Sequence, residues 1–325
     1  MWQESDLKQG AQILVDVCAQ VKESDKVLIV ADEDTLEVSK YLVEAARAKC
    51  SSVALITSAT VYHHGAEPEH DVAEQMKNST VILGATKFSM AHTKARSTAT
   101  SLGARYLSLP DYNLEQLASK SLTVDFKKWA SVGIKLKKLF DNGSTARIIT
   151  ELGTQIKVFF KGRIANCCPG FCEQPGTLGS PPDIETNVSP IEEKSEGVIV
   201  VDGSIPCQEI GLLKNPVKFY VTNGMLSDID TSCAEGKALQ KIFDAQDPKA
   251  RILAEFGIGL NPMANLCGRM LEDEGCLGTI HFGFGSNATV GGKNSVNFHL
   301  DFVIRHPTVW IDDNMVIEKG NLLIE

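Results

Sequence analysis

The sequence has no uninterrupted apolar run of the ~18 residues that a membrane-spanning helix needs. Its first residues also lack the basic segment followed by an apolar one that is typical of a secretory signal. Nine cysteines, an odd number scattered over 325 residues, do not resemble a disulfide framework, so we predict reduced thiols. Together these features predict a cytoplasmic protein that does not interact with a membrane.

Positive charge is in deficit. Lysine and arginine total 32 against 41 aspartates and glutamates, which gives a formal net charge of −9. Nucleic acids and anionic membranes attract proteins mainly through positive charge, so neither is expected as a partner. Hydrophobic residues make up 43% of the chain and charged residues 22%, the usual composition of a globular protein, and the length favours two domains.

The N-terminal half has no GxGxxG or GxxxxGK[ST] motif after any apolar run, so nothing there indicates a bound nucleotide. Its apolar runs alternate with helical patterns. The runs Val27–Ala31 and Ser52–Thr57 flank the helical segment Asp34–Cys50, and the runs Thr80–Thr86 and Arg105–Pro110 follow. This alternation predicts a parallel sheet with helices packed on it.

The pattern changes near residue 143, where a helix ends in Asn-Gly and short β-type runs begin. We predict two domains: an α/β domain over residues 1–142 and a β-rich α+β metal-binding domain over residues 143–325. The second domain is expected to contain one helix, Cys233–Gln246, and a long loop rich in proline, glycine and cysteine, Asn166–Pro190.

Three cysteines are clustered in that loop, namely Cys167, Cys168 and Cys172. Their C-C-x3-C spacing matches no common zinc site, and no second pair with matching spacing occurs elsewhere in the chain. We therefore interpret them as structural cysteines.

Three of the predicted strands place metal-binding residue types on one side. In NFHLDFVI the apolar residues take one face, so His299 and Asp301 share the other. In GTIHFGF the same alternation leaves His281 opposite the apolar residues, and in RILAEFGI it leaves Glu255 there. Imidazole and carboxylate groups on rigid neighbouring strands can bind a divalent cation with little ordering cost, so this pattern predicts a metal site.

The same part of the chain resembles the metal-dependent aminopeptidases of the aminopeptidase T and aminopeptidase S type. The matching segments are PPDIETNVSPIE, VDGSI, AEFGIGLNP, LEDEGCLGTIHFGFG and GGKNSVNFHLDFVI. The resemblance implies a dinuclear site of three Glu, two His and one Asp. These ligands fall here on Glu185, Glu255, Glu274, His281, His299 and Asp301.

The resemblance also implies an activity, which is our first hypothesis: removal of N-terminal residues from a small peptide, or cleavage of a related amide, with zinc, cobalt or manganese as the metal. The metals would lower the pKa of water to about 7, and Glu185 or Glu274 would carry the proton to the leaving amine. A site that faces away from its own core needs a cover. The N-terminal domain or a second subunit is expected to supply it, and a homodimer is predicted.

Two alternatives remain open. The family has a tyrosine seven residues after the strand histidine, whereas this chain has Ala288 there. His281, His299 and Asp301 would also form the two-His-one-carboxylate set of a mononuclear non-haem iron dioxygenase. The chain resembles 2,5-dihydroxypyridine 5,6-dioxygenase in the HLD segment that contains His299 and Asp301, although that enzyme has His where this chain has Glu255. The other alternative is a binding or peptide-maturation protein that kept the shape of the site.

Overall fold

The structure is a computed structural model that describes residues 2–61 and 63–324. The α-helices are α1 (Glu4–Ile13), α2 (Leu36–Arg47), α3 (His70–Lys77), α4 (Lys94–Ser101), α5 (Leu114–Leu117), α6 (Phe126–Asn142), α7 (Ala234–Asp244) and α8 (Met270–Glu274). The first ten strands are β1 (Lys26–Ala31), β2 (Ser52–Thr57), β3 (Val81–Ala85), β4 (Arg105–Ser108), β5 (Thr145–Ile149), β6 (Gln155–Phe159), β7 (Asn166–Cys168), β8 (Leu178–Gly179), β9 (Glu185–Val188) and β10 (Glu196–Val201). The others are β11 (Ser204–Ile205), β12 (Gly211–Leu212), β13 (Val217–Thr222), β14 (Met225–Ile229), β15 (Leu253–Gly259), β16 (Thr279–Gly285), β17 (His299–Arg305), β18 (Thr308–Ile311), β19 (Asn314–Glu318) and β20 (Asn321–Leu322).

The chain forms two compact units, one made of residues 1–126 and 169–182, the other of residues 127–168 and 183–325. Helix α6, from Lys127 onward, belongs with the second unit. The predicted domain boundary between residues 142 and 143 stays a prediction, because compactness alone does not show which parts fold independently.

The first unit is built on a five-stranded parallel sheet with the strand order β2-β1-β3-β4-β8. Strand β1 is buried from Val27 to Ala31, and a strand covered on both faces carries apolar residues in succession, as KVLIVA does. The predicted parallel α/β architecture is confirmed. The predicted loop Asn166–Pro190 is wrong in part, since it contains the short strands β7, β8 and β9, which lack the length to show a periodic pattern.

A buried ion pair in this unit makes stability depend on pH. Arg105 Nη2 lies 2.6 Å from Asp25 Oδ2, and both side chains are buried. Burial opposes ionisation of Asp25. Hydrogen bonds from the Lys22 amide and the Thr80 hydroxyl, together with the Arg105 charge, outweigh it, so the pKa of Asp25 lies below its ordinary value.

Because the pKa of Asp25 is lower in the folded chain than in the unfolded chain, its stabilising contribution is complete above the unfolded pKa of about 4. The contribution is lost as the pH falls through the folded pKa. We expect Asp25→Asn to lower the free energy of unfolding by about 3 kcal/mol at pH 7, since Arg105 then keeps a buried, uncompensated charge. The difference from wild type should shrink below pH ~4. Urea unfolding at several pH values measures this difference in the free energy of unfolding. The control is Asp228→Asn, because Asp228 is exposed. A difference that does not change with pH would contradict the role assigned to Asp25.

The second unit contains two antiparallel sheets. One has the order β14-β13-β10-β6-β5-β18-β19-β20 and the other the order β12-β11-β17-β16-β15-β9-β7. Phe219 of β13 joins the two sheets, because its ring centroid lies 5.6 Å from that of Phe284 in β16 and 5.2 Å from that of Phe302 in β17. Phe243 of α7 stacks on Phe302 at 6.3 Å. This aromatic core uses one face of the seven-stranded sheet.

None of the helices within the described residues is long and apolar enough to cross a membrane. All nine cysteines are free thiols.

Candidate metal centre

The polar face of the seven-stranded sheet carries the histidines and carboxylates expected from the sequence. Glu255, His281, His299 and Asp301 lie on β15, β16 and β17, opposite the aromatic core, so the predicted sharing of one face is confirmed. Glu185 joins them from β9, which pairs with β15. Rigid neighbouring strands therefore fix the position of all five side chains.

Glycines on the adjacent strands provide the space for the two imidazole rings. His281 lies across from Gly257, where a Cβ atom would stand only 2.0 Å from His281 Nε2. A Cβ at Gly283, which faces Asp301, would stand 2.6 Å from His299 Nε2. Glycine inside a strand often marks such a close approach, and here it leaves the space that each ring occupies.

The side chains form a continuous row in which carboxylates alternate with imidazoles. His281 Nε2 lies 3.0 Å from Glu185 Oε2 and 3.8 Å from Glu255 Oε1. His299 Nε2 lies 3.4 Å from Glu255 Oε2 and 3.3 Å from Asp301 Oδ1. The row thus runs from Glu185 through His281, Glu255 and His299 to Asp301, and its His299 end is partly exposed.

Two sets of three ligand atoms within this row lie within 4.8 Å of one another. One set is Glu185, Glu255 and His281, and the other is Glu255, His299 and Asp301. Glu255 belongs to both. The two imidazoles fall in different sets, so the structure does not bring His281, His299 and Asp301 together as the single triad considered in the sequence analysis.

The spacing suits ligands that share a cation. Two ligands about 2.1 Å from a cation stand about 3.0 Å apart at a right angle and about 3.4 Å apart at the tetrahedral angle. Glu185 Oε2 is buried and receives no hydrogen bond, although His281 Nε2 is 3.0 Å away. The buried carboxylates and histidines could therefore hold a metal ion.

Ionisation in this row is strongly coupled. Burial favours the neutral form of Glu255, but the imidazoles of His281 and His299 beside it outweigh burial and hold the pKa of this carboxyl below its usual range. Burial lowers the pKa of His281, yet the charge of Glu185 raises it well above its usual value. The pKa of His299 is raised in the same way, by Asp301. A cation must therefore displace protons from both rings, so metal binding should weaken at low pH.

Two further carboxyl groups lie beside the row. Burial raises the pKa of Glu274, and the charges of Asp301 and Glu185 raise it further. Burial likewise raises the pKa of Asp183, with the charge of Glu185 adding to the effect. One oxygen atom of each is buried without a hydrogen-bond donor. Glu274 belongs to neither three-residue set, and its predicted role as a ligand stays a prediction.

Sequence reasoning missed three residues of this face: Asp183, Asn187 and Cys168. Asn187 Nδ2 donates to Glu185 Oε1 over 2.6 Å, which orients that carboxylate. In the segment PPDIETNV every second residue from Asp183 to Asn187 is polar. This alternation would have placed Asp183 and Asn187 on the same face as Glu185. Its position inside an expected loop concealed it.

The connection between β16 and β17 fixes the His299 ring. The carbonyl oxygen of Ser286 lies 2.9 Å from His299 Nδ1, which leaves Nε2 for the carboxylates. Asn294 Nδ2 donates to the Gly285 carbonyl oxygen, and the Asn294 amide donates to Asn287 Oδ1. The connection between β16 and β17 is therefore a loop held in place by its own asparagines.

Fold and site together define a protein with one parallel α/β unit and one antiparallel β unit, whose polar sheet face could hold a metal ion. The profile of the NicX family, described as 2,5-dihydroxypyridine 5,6-dioxygenase, matches residues 3–324. The chain belongs to this family.

Individual proteins that are similar to this chain include a member of the same family. The curated 2,5-dihydroxypyridine 5,6-dioxygenase of Pseudomonas putida strain KT2440 is 25% identical over 173 residues, which cover 47% of this chain and 47% of that protein. That match spans about half of the relative's length. The solved structure of 2,5-dihydroxypyridine dioxygenase from the same strain has a TM-score of 0.84 at 18% identity, covering 99% of this chain and 98% of that one. AmpT from Thermus thermophilus has a TM-score of 0.72 at 14% identity, covering 99% of this chain and 100% of that one.

These findings correct the sequence analysis. Membership of the aminopeptidase T and S family is wrong, because the family shown is NicX. The predicted aminopeptidase or amide hydrolase activity, and with it the class of protease, is wrong for the same reason. The likeness to AmpT is one of fold.

Proposed function

We propose that this chain is a ring-cleaving dioxygenase whose substrate is a small dihydroxylated aromatic ring, with 2,5-dihydroxypyridine as the first candidate. The observation that carries the proposal is the family match over residues 3–324, together with a buried row of histidines and carboxylates in the same chain. The family description implies that O2 adds both its atoms to the substrate while the ring bond between C5 and C6 breaks.

The metal we propose is iron(II), held by Glu255, His299 and Asp301. One imidazole and two carboxylates form a nitrogen and oxygen donor set that suits a divalent first-row cation. Bound iron(II) would supply the one-electron chemistry that lets O2 react with an aromatic ring. The partly exposed His299 end of the row is where substrate would reach the site.

The remaining side chains would hold and move protons. A substrate hydroxyl must lose its proton during ring cleavage. Glu185 has a buried carboxylate oxygen that receives no hydrogen bond, so it can accept that proton. Glu274, whose raised pKa favours the protonated form, can instead donate one. His281, between Glu185 and Glu255, can hold a proton at Nε2 and pass it along the row. The predicted homodimer and the predicted cover over this face stay predictions.

An oxygen electrode tests the proposal. We expect protein purified without air and loaded with iron(II) to consume one O2 for each 2,5-dihydroxypyridine that disappears. Hydroquinone, which lacks the ring nitrogen, and 2-hydroxypyridine, which lacks the second hydroxyl, should react more slowly. The zinc-loaded protein is the matched control and should consume none, since zinc has no redox chemistry. An iron-loaded protein that consumes no oxygen with any of the three compounds would contradict the proposal.

A further inference from the structure

The row of ligands continues beyond Glu185, away from the centre proposed for iron. Cys168 of β7 pairs with Glu185 of β9, and Asp183 lies two residues before Glu185. The ligand atoms of Cys168, Asp183 and Glu185 all lie within 4.8 Å of one another. All three residues belong to the second unit.

Two buried oxygen atoms in this cluster receive no hydrogen bond. Asp183 and Glu185 are each 4% exposed, and the two atoms are Asp183 Oδ1 and Glu185 Oε2. Glu185 Oε2 has His281 Nε2 as a charged neighbour 3.0 Å away, whereas Asp183 has no ion pair in the described part of the chain. Buried polar atoms are normally satisfied, so an orphaned carboxylate oxygen indicates an ion or a proton that belongs there. Asn187 Nδ2 donates a hydrogen bond to Glu185 Oε1 over 2.6 Å and lies 4.0 Å from Cys168 Sγ. Asn166 Nδ2 in turn donates to Asn187 Oδ1, which fixes the orientation of the Asn187 side chain.

Charge also favours a cation here. Five carboxyl groups meet on this sheet face: Asp183, Glu185, Glu255, Glu274 and Asp301. Only two imidazoles face them, and within the described part of the chain no lysine or arginine forms an ion pair with any of the five. A divalent cation held by Glu255, His299 and Asp301 would leave the carboxyl groups at the far end of the row, Asp183 and Glu185, with only the His281 imidazole beside them in the described part of the chain. Ionising Asp183 in this buried position is costly unless a cation lies beside it.

We propose a second cation site formed by Cys168, Asp183 and Glu185, separate from the iron centre. A thiolate with two carboxylates selects a borderline cation such as zinc(II) or cobalt(II) over magnesium or calcium, which avoid sulfur. Binding would replace the proton of Cys168, whose pKa burial and the nearby Glu185 raise well above that of an ordinary thiol. The cation would join β7 to the start of β9.

X-ray absorption of the zinc-saturated protein tests the site directly. We expect a sulfur neighbour about 2.3 Å from zinc, and two zinc ions per chain by elemental analysis. Cobalt(II) should give a sulfur-to-metal charge-transfer band. In Cys168→Ala the sulfur neighbour and one ion should be lost. The matched control is Cys167→Ala, whose thiol lies on the other face near the Ala130 carbonyl and should change neither result.

Two further results separate this site from the iron centre. His299→Ala should lose one ion and keep the sulfur neighbour, whatever its effect on oxygen consumption. Wild-type protein without a sulfur neighbour at saturating zinc would overturn the proposal, and would indicate that a proton shared by Asp183 and Glu185 occupies the space. Persistence of the sulfur signal in Cys168→Ala would overturn it as well. Because cobalt spectra of the wild type need no variant, a folding defect in Cys168→Ala does not prevent the test.

Discussion

Asp301→Asn is expected to weaken iron(II) binding by more than about 100-fold and to abolish oxygen consumption at micromolar iron. Loss of residues that merely orient a ligand costs about 10-fold to 100-fold in metal affinity, so loss of a direct ligand should cost more. The substitution preserves the size of the side chain, and its neighbour His299 keeps the contact with Ser286. Isothermal titration with iron(II) under nitrogen measures the affinity.

The matched control for this substitution is Asp228→Asn. Asp228 lies on the exposed face of β14 in the other sheet of the same unit, so the variant should bind iron like wild type. Unfolding of apo Asp301→Asn should occur within a few degrees of wild type, because the lost contact with His299 is offset by relief of the repulsion between Asp301 and Glu274. Unchanged iron affinity in a folded Asp301→Asn protein would contradict the assignment of this residue.

Gly257→Ala is expected to cost both stability and metal binding. The backbone at Gly257 has no positive φ, so alanine is acceptable to the chain itself. Its Cβ would stand 2.0 Å from Nε2 and 2.1 Å from Cε1 of His281, and the ring must move. Overpacking of this kind costs about 1–3 kcal/mol. A displaced His281 also loses its contacts with Glu185 and Glu255, so thermal unfolding and iron titration should both change.

A double variant separates the clash from other effects. His281→Ala removes the ring that meets the new Cβ, so the stability cost of Gly257→Ala should largely disappear in the His281→Ala background. The coupling between the two changes is then the energy of the clash. If Gly257→Ala costs the same with and without the ring, the glycine does not serve to admit His281.

The sequence allowed much of this fold and site to be predicted, for one physical reason. Side chains alternate across a strand, so NFHLDFVI and GTIHFGF placed His281, His299 and Asp301 on one face without any knowledge of the strand order. The parallel sheet of the first unit was equally clear from its alternating strand and helix patterns. Both signals are local.

What could not be predicted depended on contacts distant in the sequence. Strand β9 is four residues long and lies among prolines and glycines, so its pairing with β15 and β7 gave no local signal. Asp183 and Cys168 therefore went unnoticed as neighbours of Glu185. The segment 169–182, which contributes β8 to the parallel sheet, returns to a unit left more than 40 residues earlier.

The reaction was wrongly assigned because the ligand residue types alone were taken to indicate it. Glu185, Glu255 and His281 matched the peptidase pattern, and their ligand atoms lie within 4.8 Å of one another, but such a group can serve more than one chemistry. The departure at Ala288, where the peptidases have a tyrosine, was the local sign of another reaction. Fold and ligand types define a candidate metal centre, whereas the reaction depends on what the rest of the pocket binds.

Labelling with 18O2 tests the central claim most directly. Iron-loaded protein incubated with 2,5-dihydroxypyridine under 18O2 should give a ring-opened product that contains two 18O atoms, as mass spectrometry of the freshly formed product would show. The same reaction under 16O2 in H218O is the control and should give a product without label from the cleavage step. A product with label from water alone, or an intact ring, would contradict the assignment as a ring-cleaving dioxygenase.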